Sequence, residues 1–235
     1  MPLVAAAVCP NPPLLVPELA AGAAAELDDL RAACDAAVAR LWSAGPELVA
    51  VVGAGSTTRE LPPPYRGSFA PWGASVGVAL GEGAPGDPVT DLAPLVGLWL
   101  LSRQDCPAPV TVWSVAVDAV AADCAVLGKA IAATAGRVAL LVLGDGSACH
   151  GRKSPGYEDR RAEPFDAAVL EALVDVDTAR LLALDAGLAD QLLAAGRAPW
   201  QVLAGAVAGA GRRWRSHVGY AGAPYGVGYY VANWS

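Results

Sequence analysis

The chain has 235 residues, of which 54% are apolar and 17% charged, with a formal net charge of −7 and a pI of about 4.8. This balance excludes an intrinsically disordered protein, which needs low hydrophobicity and high net charge. An acidic surface repels phosphate, so we expect no nucleic-acid partner and no attachment to anionic membranes. The length fits one domain covering residues 1–235.

Cysteine usage and the N-terminal segment favour a cytoplasmic protein. The opening segment MPLVAAAVCPNPPLLVPE has no basic stretch and is interrupted by prolines, unlike a signal peptide. No uncharged apolar run approaches the roughly 20 residues that span a bilayer. The 5 cysteines are odd in number and scattered, without a CxxC pair, which favours reduced thiols over disulfides or zinc binding.

The first part of the chain predicts a βαβ unit. A short apolar run at 3–9 predicts a buried strand, the spacing of apolar residues over 18–44 predicts a helix, and a second apolar run at 48–52 predicts another strand. Residues 59–72 are rich in proline and are predicted as a loop, followed by a weak strand at 75–80 and a turn at 81–88.

The rest of the chain continues the alternation of helices and strands. A helix at 91–103 precedes a strand at 110–117, and a helix at 121–135 precedes a strand at 138–143. Further helices are predicted at 165–174, 178–184, 188–195 and 200–210, and an antiparallel pair at 213–220 and 227–232. The predicted fold is therefore α/β, a three-layer α/β/α domain with a mixed, largely parallel central sheet.

Three polar loops follow predicted parallel strands, with the sequences CPNPP, GAGSTT and GDGSACHG. In open α/β sheets, ligands bind beyond the carboxyl ends of the strands, so these loops predict a cleft at one edge of the sheet. The residues predicted to line it are Asn11, Ser56, Asp145, Ser147, His150 and Tyr225.

Familiar catalytic motifs are absent from these loops. The GAGSTT string lacks the third glycine and the following helix of a dinucleotide-binding loop, and no GxSxG elbow occurs. Asp145 lies between two glycines, which is typical of an Asx turn, although a carboxylate at a strand end is also well placed for function. The two histidines, His150 and His217, belong to no HxH or HExxH pattern.

The chain also contains AAAVCPNPPLLVPELA at its N-terminus, LVLGDGSACHGRKSPGYEDRRAEPFDAAVLEAL in its second half and GAPYGVGYYVA near its C-terminus. In this order, these segments resemble the class III extradiol dioxygenase superfamily, whose fold is that of the ring-cleaving chains and of Memo-like proteins. The resemblance covers almost the whole chain. It implies an α/β domain and, in active members, ferrous iron held by two histidines and a carboxylate.

The histidines of that superfamily are missing at the matching positions. The first falls on Asn11, the second falls within 53–56, where no histidine occurs, and the acid–base histidine falls on Ala148. An amide is a poor Fe(II) ligand beside an imidazole. The sequence therefore favours a divergent member without ring cleavage, with no cofactor expected and with a cleft for a small molecule or a protein partner.

Other hypotheses stay open at this level. One is an active dioxygenase that holds iron(II) through displaced ligands, namely His150, His217 and Asp145. Another is a metal-free hydrolase or amidase that uses Asp145 with a nearby serine or cysteine. An accessory chain that supports a catalytic partner, or a homo-oligomer, is also compatible with the sequence.

Overall fold

Strands made almost wholly of alanine, valine and leucine form the centre of the protein in the computed structural model, which describes residues 3–84 and 86–235. The predicted domain 1–235 includes Met1 and Pro2, and the predicted turn at 81–88 includes Pro85; these three residues lie outside the described ones. The strands are Leu3–Cys9 (β1), Leu48–Gly55 (β2), Arg59–Leu61 (β3), Tyr65–Ser68 (β4), Gly77–Leu80 (β5), Val110–Ala116 (β6), Val138–Leu143 (β7), Ser216–Gly222 (β8) and Tyr229–Trp234 (β9).

Helices follow most of the long strands. They are Pro17–Ala20 (α1), Asp28–Ser43 (α2), Leu92–Ser102 (α3), Ala121–Ala132 (α4), Ala162–Asp175 (α5), Thr178–Leu182 (α6), Ala186–Gln191 (α7) and Arg197–Ala208 (α8). Short 3-10 helices occur at Pro13–Leu15, Ala21–Leu27, Ala70–Trp72 and Pro224–Gly226. Within the described residues, no helix has both the length and the apolar character needed to cross a bilayer.

Seven of the strands form one mixed sheet in the order β3-β6-β2-β7-β1-β9-β8. The four central strands β6, β2, β7 and β1 are parallel, and the outer strands β3, β9 and β8 run antiparallel to the strand that each pairs with. Strands β4 and β5 form a separate antiparallel pair. The predicted α/β fold with a largely parallel sheet is confirmed.

Helices cover both faces of the sheet, which confirms the three layers. Along β7 every residue is buried, but alternate side chains enter different cores. Leu141 and Leu143 pack in the core beneath α2 and α3, whereas Leu140 and Val142 pack in the core beneath α4, α5 and α8. A strand buried on both faces in this way therefore needs a nearly continuous apolar run.

The predicted helix at 18–44 is broken near its start. Ala21 has a φ of +46°, and the segment Ala21–Leu27 is a 3-10 helix that precedes α2. The Arg31 guanidinium hydrogen-bonds to the carbonyl of Ala24, and so satisfies an acceptor that a continuous helix would use itself. The run of alanine and glycine there carries no large side chain to hold a straight helix against the sheet.

The prediction of a loop at 59–72 is wrong in two places, because the structure has the short strands β3 and β4 there. Strand β3 pairs antiparallel with β6 at the edge of the main sheet, and β4 pairs with β5. The three prolines at 62–64 lie between β3 and β4, where no ladder hydrogen bond is needed from them. The high proline content predicted a loop for the whole segment, but these prolines belong only to the connection between two short strands.

The two helices α5 and α8 begin three residues before their predicted starts. Each contains a proline in its first turn, Pro164 and Pro199 respectively. The missing N–H of proline costs nothing at that position, because the first N–H groups of a helix have no partner within it.

Helices α4 and α8 cross in close contact at two glycines. A Cβ added at Gly128 would lie 2.0 Å from the Val202 carbonyl oxygen, and one added at Gly205 would lie 2.3 Å from the Ala125 carbonyl oxygen. The obstructing atoms are backbone, so a side chain at either position would push the helices apart.

We expect Gly128→Ala to lower the free energy of unfolding by about 1–3 kcal/mol, even though alanine favours helices more than glycine does. Urea denaturation measures this, with Gly22→Ala as the control because nothing lies within 4 Å of a Cβ at Gly22. Equal stability of the two variants would contradict the close helix contact.

Candidate functional site

The register of the parallel strands brings two polar side chains together. Leu143 at the end of β7 pairs with Cys9 of β1 on one side and with Gly53 of β2 on the other. Two residues beyond Cys9 and Leu143, the backbone N–H of Asn11 donates a hydrogen bond to Oδ1 of Asp145 at 2.7 Å. We call the place where Asn11 and Asp145 meet, at the carboxyl ends of β1 and β7, the rim site.

Asn11 supplies an unused hydrogen-bond acceptor to the rim site. The residue is 6% exposed, and its side-chain Oδ1 is buried with no donor among the described residues. Buried polar groups are almost always hydrogen-bonded, because an unpaired one loses its contact with water and gains nothing. A donor supplied from outside the chain would satisfy this oxygen.

Asp145 is an acid that titrates near neutrality. Burial raises the pKa of its carboxyl group to about 7, and the hydrogen bond from the Asn11 N–H opposes this shift. Removal from water disfavours the charged form, and within residues 3–84 and 86–235 no cation beside the carboxylate offsets that cost. The group can therefore accept or release a proton at physiological pH.

Tyrosines lie on the same side of the sheet as Asp145. Tyr229 of β9 packs in the core beneath α2, and its pKa is raised by burial and then by the negative charge of Asp145. Tyr220 and Tyr225 raise the pKa of Tyr229 further. The Tyr225 hydroxyl donates to Oε2 of Glu26 at 2.7 Å, so it links the β8–β9 connection to the segment before α2.

A second polar cluster lies on the opposite side of the sheet, around Asp166 of α5. Asp166 is 5% exposed, and its carboxylate accepts the backbone N–H of Ser147 at 2.9 Å and pairs with Nε2 of His150. Burial raises the pKa of Asp166, and the hydrogen bonds from Ser147, His150 and Tyr230 oppose this shift. The pairing fixes the orientation of the His150 ring.

The two glycines that flank Asp145 lie in close contact with neighbouring segments on the side of the sheet that carries Asp166. A Cβ at Gly144 would lie 2.4 Å from Cα of Gly196, and a Cβ at Gly146 would lie 2.6 Å from Oδ1 of Asp166. The loop after β7 thus directs Asp145 to one face and its next neighbours to the other.

The other predicted cleft residues are placed differently. Ser56 is exposed at the end of β2. Ser147 is fully buried, and its hydroxyl donates to the Leu192 carbonyl and accepts from the Cys149 N–H, so it holds the loop together. Tyr225 is 42% exposed, and its left-handed φ of +58° turns the chain between β8 and β9.

The histidines are not brought together. His150 pairs with Asp166, whereas His217 in β8 lies beside Arg40 and Ser43 at the C-terminal end of α2. Among residues 3–84 and 86–235, no group of three or more His, Cys, Asp or Glu side chains could hold a metal. The amide of Asn11 and the lone carboxylate of Asp145 do not fit Fe(II), which requires a facial set of two imidazoles and a carboxylate.

Sequence reasoning missed several residues of these clusters. It gives no role to Asp166, Tyr229 and Tyr230, although all three lie within the segments that resemble the superfamily. One signal was present for Asp166: it follows Phe165 and precedes Val169 on the buried side of an amphipathic helix, where a carboxylate needs a partner. Neither Asn11 nor Asp145 lines any of five well-formed cavities on the described residues.

Comparisons with known proteins add evidence on the fold alone. No protein-family profile matches the sequence, and no curated protein matches it. Among solved structures, the chain is similar to an uncharacterized protein from Escherichia coli K12, with a TM-score of 0.53 and 14% sequence identity over 98% of this chain and 99% of the other. The arrangement of strands and helices is therefore shared over the full length.

The pKa of Asp145 makes stability depend on pH. The folded protein keeps a proton on this carboxyl up to about pH 7, whereas the unfolded chain releases it near pH 3.8, so the free energy of unfolding falls as the pH rises between these values. Asp145→Asn removes this loss and keeps an oxygen for the Asn11 N–H. We expect the free energy of unfolding of Asp145→Asn to rise relative to that of the wild type as the pH increases from 4 to 8, by up to about 4 kcal/mol.

Urea denaturation at several pH values measures this gain. The control is Asp118→Asn, which removes an exposed carboxylate. A difference between wild type and Asp145→Asn that does not change with pH would show that Asp145 has an ordinary pKa.

Proposed function

We propose that this chain is a divergent relative of the class III extradiol dioxygenases that binds a small hydroxylated molecule at the rim site without cleaving it. The observation that carries the proposal is the buried Oδ1 of Asn11, an acceptor with no donor among the described residues. Asn11 also falls where the resemblance places the first iron-ligand histidine. The ligand would therefore bind where the superfamily holds its iron, and hydrogen bonds from the ligand to the protein would take the place of metal coordination.

Hydrogen-bonding chemistry supports a ligand with hydroxyl groups. Oδ1 of Asn11 accepts a hydrogen bond, and so does the ionised carboxylate of Asp145, which lies beside the Asn11 backbone. The hydroxyl of Tyr229 is held in its neutral form by burial and by the charge of Asp145, so it can both donate and accept. A ligand with two hydroxyls could donate one hydrogen bond to each of these acceptors.

Access to the rim site requires a local movement. Tyr225 of the β8–β9 connection donates a single hydrogen bond to Glu26 of the segment before α2, and both side chains are exposed. A surface hydrogen bond of this kind contributes about 1 kcal/mol, so it opens readily when a ligand offers alternative contacts.

Catechol is the probe that tests this function. We expect catechol, kept under argon, to bind the wild-type protein, and Asn11→Leu to weaken the binding roughly tenfold because one buried hydrogen bond is lost. Affinity should rise from pH 6 to pH 8 as Asp145 ionises, and Asp145→Asn should abolish that rise. Isothermal titration measures both effects.

Ser43→Leu serves as the control for Asn11→Leu, because Ser43 is exposed at the C-terminal end of α2, away from the rim site. Its affinity for catechol should equal that of the wild type. Unchanged affinity in Asn11→Leu, or no binding of catechol by any form, would refute the proposed site.

A separate experiment tests the lack of ring cleavage. We expect protein produced with added iron to hold far less than one iron per chain and to take up no oxygen with catechol, since the residues that the structure describes offer no facial set of ligands at about 2 Å. Elemental analysis and an oxygen electrode measure this. Stoichiometric iron that disappears in both His150→Ala and His217→Ala would instead establish an oxygenase with displaced ligands.

A further inference from the structure

Arg197, the first residue of α8, carries a buried positive charge. The residue is 3% exposed, and its guanidinium donates to the carbonyl oxygens of Val117 and Ala119 and to Oε1 of Gln201 at 3.0 Å. All three acceptors are neutral. Among the described residues, no carboxylate forms an ion pair with it. A buried cation without an anion is costly, because it has left water without gaining a counter-charge.

A cavity of about 230 Å³ lies against this arginine, outside the rim site. Its wall is mostly apolar, with Asp190 and Arg197 as its charged residues, and it opens beside Val117 and Leu193, which are 58% and 54% exposed. The N-terminus of α8 borders the same space, and helix N-termini favour negative charge. The remaining lining residues include Ala186, Ala189, Ala198 and Asp190.

We infer that this cavity is a binding site for a small apolar monocarboxylate, whose carboxylate pairs with Arg197 while its hydrocarbon body contacts Val117 and Leu193. The hydrogen bonds of the guanidinium come from Nη1 and Nη2, and Nη2 uses one of its two hydrogens. An arginine has five N–H donors, so two stay available for a carboxylate.

Size and charge narrow the class of ligand. Ligand sites of about 300 Å³ and above hold drug-sized molecules, so a cavity of 230 Å³ suits a single ring or a short branched chain. Asp190 lies on the exposed side of the wall, where its negative charge repels a second anionic group. A monocarboxylate therefore fits better than a dicarboxylate or a phosphate ester.

Benzoate and benzyl alcohol test the inference, since they share a ring and differ in charge. Binding to the full chain is followed by NMR titration. Arg197→Gln alone is a poor test, because the guanidinium also anchors Val117 and Ala119. The cavity is therefore blocked instead with Ala186→Phe at an exposed wall position, and Ala183→Phe, exposed at a different cavity, is the matched control.

We expect benzoate to bind at least tenfold more tightly than benzyl alcohol, and Ala186→Phe to weaken benzoate at least tenfold while Ala183→Phe leaves it unchanged. Asn11→Leu should also leave benzoate binding unchanged, which separates this cavity from the rim site. Equal affinity for the two probes, no binding of benzoate, or equal binding by Ala186→Phe and the wild type would overturn the inference.

Discussion

The burial of four parallel strands on both faces is the constraint on which the rest of the structure depends. Such strands carry mostly apolar side chains, so most polar groups of this region lie in the loops at their ends. Ser114 of β6 is an exception, and its buried hydroxyl donates to Oδ2 of Asp91 at 2.7 Å. The ladder between β1 and β7 then fixes which loop residues meet. Asn11 and Asp145 touch because Cys9 and Leu143 are paired two residues earlier.

Much of the fold follows from local sequence. Four apolar runs of strand length, separated by helical spacing, are sufficient to predict the central parallel strands and the two helical layers. One kind of error arises where a contact distant in sequence decides the structure. Strand β3 exists because β6 offers it a free edge, and β6 lies about 50 residues further along the chain. The break at Ala21 has a local cause instead, since the run of alanine and glycine there has no large side chain to hold a straight helix.

The site is predictable only in part. The approach of Asn11 to Asp145 follows from the rule that loops after parallel strands share one edge. That rule does not predict towards which face of the sheet each side chain of these loops points. Ser147 turns inward to hold its own loop, and His150 finds a partner in Asp166, which lies 16 residues further along the chain. The resemblance covers the segment that contains Asp166 but gives this residue no role. Its role is visible only in the structure, where the carboxylate pairs with His150 and accepts the Ser147 N–H.

The two glycines around Asp145 have a consequence for how this protein can change over evolutionary time. Gly144 is confined by the backbone of Gly196 and Gly146 by the carboxylate of Asp166, so neither can acquire a side chain without moving α8 or α5. Asp145 alone of the three has a side chain that is free of this restriction. Substitution in this loop is therefore easiest at this single residue, because the loop that presents it then keeps its shape.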